Sequence, residues 1–314
     1  MSSGSRLGRL LDECRKAGMD GVIILPGPNM RYLIDFTLEV FERPAFLLAG
    51  FGGRSTLLVP QLDEERAREA VGSVCDVASY SDETGPWKWL EWLLSDKTGF
   101  VGVEDRMPLG LYRMLESRAK QLRFVGVDTL LRSLRVSKDS EEVARHREAA
   151  RILQEAMLRT LAELSPGIRE RELMFTFHRH AYGLGAETSY CLIQSGPNSA
   201  KPHMEPTAKP IGPGVPAEEV DRAARKLIAD AGLAEYFIHR TGHGLGVEVH
   251  EEPYIRYGNK TPLTSGMIFT IEPGIYLPGQ FGVRLEDNLV VSSSGVENTT
   301  KLPKTLSLRV TLSS

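Results

Sequence analysis

The chain has 314 residues, of which 41% are hydrophobic and 25% charged, a composition that excludes a disordered or collagen-like protein. One hydrophobic core rarely grows past about 250–300 residues, so we expect two domains. The formal net charge of −3 offers no basic excess to neutralise phosphates, and we expect no nucleic-acid partner. Because no apolar run approaches the roughly 18–20 residues of a membrane helix and the N-terminus lacks a signal-peptide core, we expect a cytoplasmic protein without membrane contact.

The first part of the chain alternates between strand and helix periodicity, which predicts an α/β domain. Helices are predicted near 7–17, 63–71, 87–94 and 108–120, and strands near 21–25, 45–49, 55–59, 76–80, 100–103 and 124–127. The three cysteines, Cys14, Cys75 and Cys191, lie far apart without a CxxC pair, and we interpret them as buried, reduced thiols.

The pattern changes near residue 137, where we expect the domain boundary. Asp139 supplies a capping oxygen for a long helix that reaches about residue 163, and Pro166-Gly167 ends it. Further helices are predicted over about 169–182 and 215–231.

A glycine-rich stretch concentrates three of the seven histidines between His239 and His250. Imidazole binds metals and carries protons, and glycines on both sides of His243 allow close backbone approach. The three alternating glycines superficially suggest a nucleotide loop, but residues 247–249 are predicted to be extended rather than helical, which argues against it. A structural glycine turn with incidental histidines is the alternative.

Two carboxylates follow downstream. Glu272 ends an apolar strand over 267–271, and Glu286 is predicted on a second strand over 282–287. A carboxylate in a buried strand needs a metal or an ionic partner, and pairing with Arg284, with a lysine or with solvent is the alternative. One imidazole with two carboxylates suits a divalent ion such as Mn, Co, Zn or Fe, which lowers the pKa of a bound water.

Three ordered motifs carry a resemblance to a known family. They are His239-x3-His243-Gly-x-Gly-x3-His250-Glu, Glu272-Pro-Gly and Arg284-Leu-Glu286-Asp. The chain resembles the M24 (pita-bread) metallopeptidases, in the Xaa-Pro dipeptidase and aminopeptidase P branch. The resemblance implies a two-domain α/β fold, with a creatinase-like N-terminal domain at 1–133 and a pita-bread (creatinase/aminopeptidase) domain at 138–314. It also implies a homodimer.

The resemblance further implies the metal ligands. His243, Glu272 and Glu286 match three of the five ligands of the family. Glu286 would bridge two ions, and Glu272 would also accept the proton of the attacking water.

Four more residues match catalytic positions of the family. His203 would lie near the substrate amine and move protons, while His239 and His250 would line the substrate pocket and hold the carbonyl. Arg284 would stand beside the bridging glutamate.

The segment that carries the other two ligands, both aspartates, is missing. Between about 207 and 214 the chain passes almost directly from the His203 motif into the helix before the last histidine motif, so we expect an incomplete pita-bread domain. Asp221 and Asp230 fall on a helix with a solvated face and are not predicted as ligands. The family holds two divalent ions, and this chain is expected to hold one or none.

The sequence therefore predicts a metal-dependent exopeptidase that cleaves before proline, in small peptides with proline at the second position, through a metal-bound hydroxide. A catalytically inactive pita-bread scaffold, acting by binding or dimerisation, is the main alternative because two ligands are absent. A creatinase-like hydrolase that acts without metal on a guanidino substrate is the third interpretation.

Overall fold

The computed structural model describes residues 3–39, 42–51, 55–163, 168, 170–189, 191, 216–278 and 281–302. By its internal contacts the chain divides into two compact units, Met1–Arg135 and Val136–Ser314. No helix in these described stretches is long and apolar enough to cross a membrane.

The first unit is built on a six-stranded mixed sheet. Its helices are α1 (Ser3–Lys16), α2 (Pro28–Ile34), α3 (Glu64–Val71), α4 (Trp87–Leu94), α5 (Leu109–Arg118) and α6 (Asp128–Val136). Its strands are β1 (Met19–Ile24), β2 (Phe46–Ala49), β3 (Thr56–Pro60), β4 (Asp76–Tyr80), β5 (Phe100–Val103) and β6 (Arg123–Gly126). The order is β4-β3-β2-β1-β5-β6, in which β2 is antiparallel to β1 and β3 and the other pairs are parallel.

Both faces of this sheet are buried, because side chains alternate between the faces along each strand. Val22 and Leu47 pack with α1, α2 and α3 on one face, whereas Ile23 and Leu48 pack with α4 and α5 on the other. Cys14 and Cys75 are free and buried, as predicted, while Cys191 is free but only half-buried.

The second unit contains three described helices and seven described strands. The helices are α7 (Ser140–Ala162), α8 (Glu170–Gly183) and α9 (Ala217–Asp230). The strands are β7 (Gly242–Gly244), β8 (Glu251–Ile255), β9 (Ile268–Ile271), β10 (Gly274–Leu277), β11 (Phe281–Arg284), β12 (Asp287–Ser292) and β13 (Gly295–Asn298).

An antiparallel sheet of five strands, in the order β13-β12-β9-β7-β8, forms the centre of the second unit. α9 packs Ala217 and Val220 against Phe269 and Leu289 of this sheet, and β10 and β11 form a separate two-stranded ribbon. The start of α7 agrees with the sequence prediction. Asp139 accepts hydrogen bonds from the backbone N–H groups of Glu141 and Glu142, and the Glu142 carboxylate accepts one in return from the Asp139 N–H.

Candidate functional site

Neighbouring strands β7 and β9 bring His243 and Glu272 together. The His243 backbone N–H donates to the Thr270 hydroxyl oxygen (3.0 Å), and that hydroxyl donates to Glu272 Oε1 (3.1 Å). The strands can approach this closely because Gly242 has no side chain: a Cβ there would lie 1.9 Å from the Thr270 carbonyl oxygen. Thr270, fully buried, was missed in the sequence, although its position two residues before Glu272 puts both side chains on one strand face.

Glu272 is surrounded by positive or hydrogen-bonding groups. His243 Nε2 lies 3.1 Å from Glu272 Oε1, and Arg284 Nη1 lies 3.0 Å from Glu272 Oε2. Burial alone would raise the pKa of Glu272, but the hydrogen bond from His243 and the charges of His243 and Arg284 outweigh it and lower the pKa below its ordinary value. Glu272 is therefore ionised at neutral pH. The sequence analysis gave an ion pair with Arg284 as the alternative to a metal ion, and Arg284 is one of the two charged or chargeable side chains that contact Glu272.

Glu286 lies at the edge of the same group. It was predicted on a strand, but it falls in the break between β11 and β12, where the chain leaves its pairing with β10 and begins pairing with β9. Its Oε2 is 4.0 Å from Arg284 Nη2, and its side chain is 40% exposed. Surrounding protein atoms and repulsion from Glu272 raise the pKa of Glu286, so two carboxylates compete for the charge of one arginine.

The donor chemistry at His243 and Glu272 fits one cation. His243 Nδ1 lies 3.0 Å from the Gly244 carbonyl oxygen, which can only accept, so Nδ1 carries a proton. In the neutral ring, Nε2 would then direct a lone pair at the Glu272 oxygen. A proton or a metal ion between these two acceptors removes that conflict, and their 3.1 Å separation suits adjacent ligands of one ion.

The arrangement does not fit the two-ion centre that the resemblance implied. Within the described ranges, no three or more His, Cys, Asp or Glu side chains are grouped so that they could hold a metal ion. The residues thus offer the donor types for one ion, His243, Glu272 and Glu286, without a complete set of ligands in their present positions.

His239 bonds to a tyrosine that the sequence analysis missed. The His239 Nδ1–H donates to the Arg240 carbonyl oxygen (2.6 Å), so Nε2 accepts a hydrogen bond from the Tyr276 hydroxyl (2.8 Å). Burial is the largest cause that lowers the pKa of His239 and keeps the ring neutral. The Tyr276 hydroxyl lies close over Gly274, where an added Cβ would be only 2.6 Å away.

The His250 ring lies against the His243 ring at a tilt of 50°, with 4.2 Å between the ring centres. Desolvation and the nearby His243 ring lower the pKa of His250. His250 is exposed, so its outer edge is accessible to a peptide substrate. The predicted residue His203 lies outside the described residues.

Two sequence interpretations in this region were wrong. Residues 247–249 bend instead of running extended, because the chain folds around the buried Glu251 carboxylate. Asp221 is 1% exposed rather than solvated: it accepts hydrogen bonds from the backbone N–H (3.2 Å) and the hydroxyl (2.7 Å) of Thr241 and pairs with Arg225 (2.9 Å). These contacts fix the entry to β7, and Asp221 has no contact with the carboxylate group at Glu272 among those described.

The other histidines make local hydrogen bonds. His146 lies 3.1 Å from the Thr299 hydroxyl, His178 lies 2.9 Å from the Ser189 hydroxyl, and His180 lies 2.6 Å from Glu163.

Comparison with known proteins identifies the family. The chain is 31% identical to the probable dipeptidase PepE of Mycobacterium tuberculosis, with 92% of each chain covered. The chain belongs to metallopeptidase family M24. The family model matches residues 144–214 and 208–293, and the model of the creatinase/prolidase N-terminal domain matches residues 6–137.

Two further relatives align with nearly the whole of this chain. The Xaa-Pro dipeptidase of Pyrococcus horikoshii is 28% identical, with 96% of this chain and 98% of that protein covered. The crystal structure of a prolidase from Thermococcus sibiricus matches with a TM-score of 0.88 and 30% identity, over 98% of this chain and 99% of that chain. The fold is therefore the two-domain creatinase-like and pita-bread fold, and the relatives of this M24 chain are peptidases.

The alignments also show that this M24 chain is short. The alignment with PepE spans 349 positions against 314 residues here, so it includes at least 35 positions that this chain lacks (349 less 314). The M24 model matches in two pieces that overlap at 208–214. This overlap falls in the region, between about 207 and 214, where the sequence analysis expects an aspartate-bearing segment to be missing.

Proposed function

We propose that this chain is a metal-dependent exopeptidase of the Xaa-Pro type, which uses one divalent ion to cleave small peptides before a proline at the second position. The observation that carries the proposal is the 3.1 Å separation of His243 Nε2 and Glu272 Oε1, two atoms that can ligate one ion. His243, Glu272 and Glu286 would hold the ion, which would be Mn, Co or Zn. When bound, it supplies Lewis acidity and lowers the pKa of water.

Side chains around the ion would transfer protons and bind the substrate. Glu272, ionised by its surroundings, holds a proton taken from the attacking water, and Arg284 keeps its carboxylate in place through the 3.0 Å contact. His250, exposed beside His243, donates to the substrate carbonyl. His239, held by Tyr276, orients the substrate. His203 would carry a proton near the substrate amine.

Cleavage assays test this proposal. The purified chain is incubated with an Xaa-Pro dipeptide and with a longer Xaa-Pro peptide, with and without Mn(II). We expect Mn-dependent release of the first residue, abolished by Glu286→Gln and by His243→Ala and retained by the control His180→Gln on α8. Equal cleavage by the wild type and Glu286→Gln would refute the proposal. The preferred peptide length distinguishes a dipeptidase from an aminopeptidase.

A catalytically inactive scaffold is the second candidate function. The Arg284 guanidinium at Glu272 and the 35 or more missing positions favour it, because an arginine then supplies the charge that an ion would supply. Such a scaffold would bind a proline-containing peptide without cleaving it, and divalent ions would not raise its melting temperature.

We further propose domain limits of 1–133 and 138–314, a domain shortened between about 207 and 214, a homodimer and a cytoplasmic location. The N-terminal model match at 6–137 and the two-piece M24 match support the first two. Light scattering on the purified chain tests the dimer.

A further inference from the structure

A buried ion pair joins the first residues of the second unit to its sheet. Lys138 Nζ lies 2.5 Å from Glu251 Oε1, and the two side chains are only 2% and 7% exposed. Lys138 is held in place by its own backbone, whose N–H donates to the Gly266 carbonyl oxygen (2.8 Å). The backbones of Gly266 and Lys138 pack so closely that a Cβ on Gly266 would lie 2.7 Å from the Lys138 carbonyl oxygen.

The Glu251 carboxylate is enclosed by the loop of residues 245–250, which we call the His250 loop. Its Oε2 accepts a hydrogen bond from the Glu248 N–H (3.4 Å), and a Cβ on Gly246 would lie 2.0 Å from its Oε1. Val247 and Val249 are 37% and 69% exposed, so burial of these side chains does not anchor the loop. The Leu245 N–H ties the start of the loop to β9 through the Ile268 carbonyl oxygen (2.9 Å), whereas the contacts that hold its middle are those with the Glu251 carboxylate.

We propose that Lys138 is a positioning residue, which neutralises Glu251 and thereby fixes the His250 loop and the place of the His250 ring beside His243. An uncompensated carboxylate in this enclosed position must gain water, and the loop is what separates it from solvent. Its catalytic importance rests on the proposed function, because only a working peptidase needs His250 in place. The ordering of the loop does not rest on it.

Hydrogen exchange on the full chain, without metal or peptide, tests the ordering directly. In Lys138→Met we expect the amides of 245–251 to exchange at least about tenfold faster, while those of β9 change less than about twofold. Lys138→Arg, which keeps the charge, should retain most of the protection. Lys226→Met, which breaks the exposed pair with Asp230 on α9, is the matched control and should leave the loop unchanged. Unchanged loop exchange, or equal acceleration in β9, would overturn the proposal.

The double variant Lys138→Met/Glu251→Gln keeps the proposal testable if the single variant does not fold. Because it removes both charges, we expect it to fold and to recover most of the loop protection, whereas additive losses would contradict the role of charge compensation. In an active preparation, Lys138→Met should lower kcat more than it changes KM, with rescue by Lys138→Arg. An inactive wild type would refute the proposed function and leave the exchange result to decide on Lys138.

Discussion

Asp221 of α9 holds Thr241 through two hydrogen bonds, 3.2 Å to the backbone N–H and 2.7 Å to the hydroxyl. Thr241 stands two residues before His243, and its carbonyl oxygen accepts a hydrogen bond from the Glu272 N–H (2.6 Å). A helix outside the sheet thus sets the positions of both site residues.

Replacing Asp221 should therefore be costly. Asp221→Ala leaves the Thr241 N–H and hydroxyl without their acceptor and removes the partner of Arg225 Nε, although Arg225 still donates to the Phe237 and His239 carbonyl oxygens. We expect a loss of about 3 kcal/mol in the free energy of unfolding. Asp230→Ala on the same helix removes an exposed partner of Lys226 and should change the free energy of unfolding by less than about 0.5 kcal/mol. Urea unfolding of both variants measures the difference, and equal effects would show that Asp221 is not a structural anchor.

Gly242 should tolerate no side chain. Since an added Cβ would lie 1.9 Å from the Thr270 carbonyl oxygen, Gly242→Ala must separate β7 from β9, and we expect about 2–3 kcal/mol of destabilisation. Gly110→Ala in α5, where a Cβ has open space, is the control and should stabilise by up to about 1 kcal/mol. Thermal melting of both variants checks the prediction, which fails if Gly242→Ala melts like the wild type.

Tyr276 should influence the protonation of His239. Its hydroxyl donates to Nε2 only while that nitrogen is unprotonated, so the bond favours the neutral ring. We expect Tyr276→Phe to raise the pKa of His239. An NMR titration of the protein with labelled histidine measures this pKa. A lower or unchanged value would mean that burial alone controls this ring.

His146 should make stability depend on pH. Burial, followed by the charges of Lys138 and Arg147, lowers the pKa of His146 from its ordinary 6.5. The folded protein therefore binds its proton less readily than the unfolded chain, and stability from the neutral ring is present above pH 6.5 and is lost as the pH falls. Urea unfolding from pH 7.5 to 5 should show a steeper loss in the wild type than in His146→Gln, and parallel curves would contradict this.

Much of the fold could be predicted from local patterns, whereas the errors near the site concern long-range contacts. Periodicity and the Asp139 cap are local, and the helices and strands predicted in the first unit agree with those observed, but α2 (Pro28–Ile34) and α6 (Asp128–Val136) were not predicted. The bend at 247–249 arises because Lys138 buries Glu251, a contact across 113 residues of sequence. Asp221 looked solvated because its helix neighbours are charged, and only the position of Thr241 in space makes it buried.

The candidate site was predicted in composition but not in arrangement. His243, Glu272 and Arg284 were selected because they match motifs of the resembled family, and both His243 (3.1 Å) and Arg284 (3.0 Å) contact the Glu272 carboxylate. Thr270 and Tyr276 were missed, because a single hydroxyl within an apolar strand carries no signal until its neighbouring strand is known.

Calorimetric titration of the metal-free chain with Mn(II) tests the single-ion site most directly. We predict binding of one ion per chain, lost in His243→Ala and unchanged in His180→Gln. Binding of two ions would mean that ligands beyond His243, Glu272 and Glu286 complete the family centre. No binding would contradict a metal-dependent peptidase and leave the Arg284-compensated scaffold.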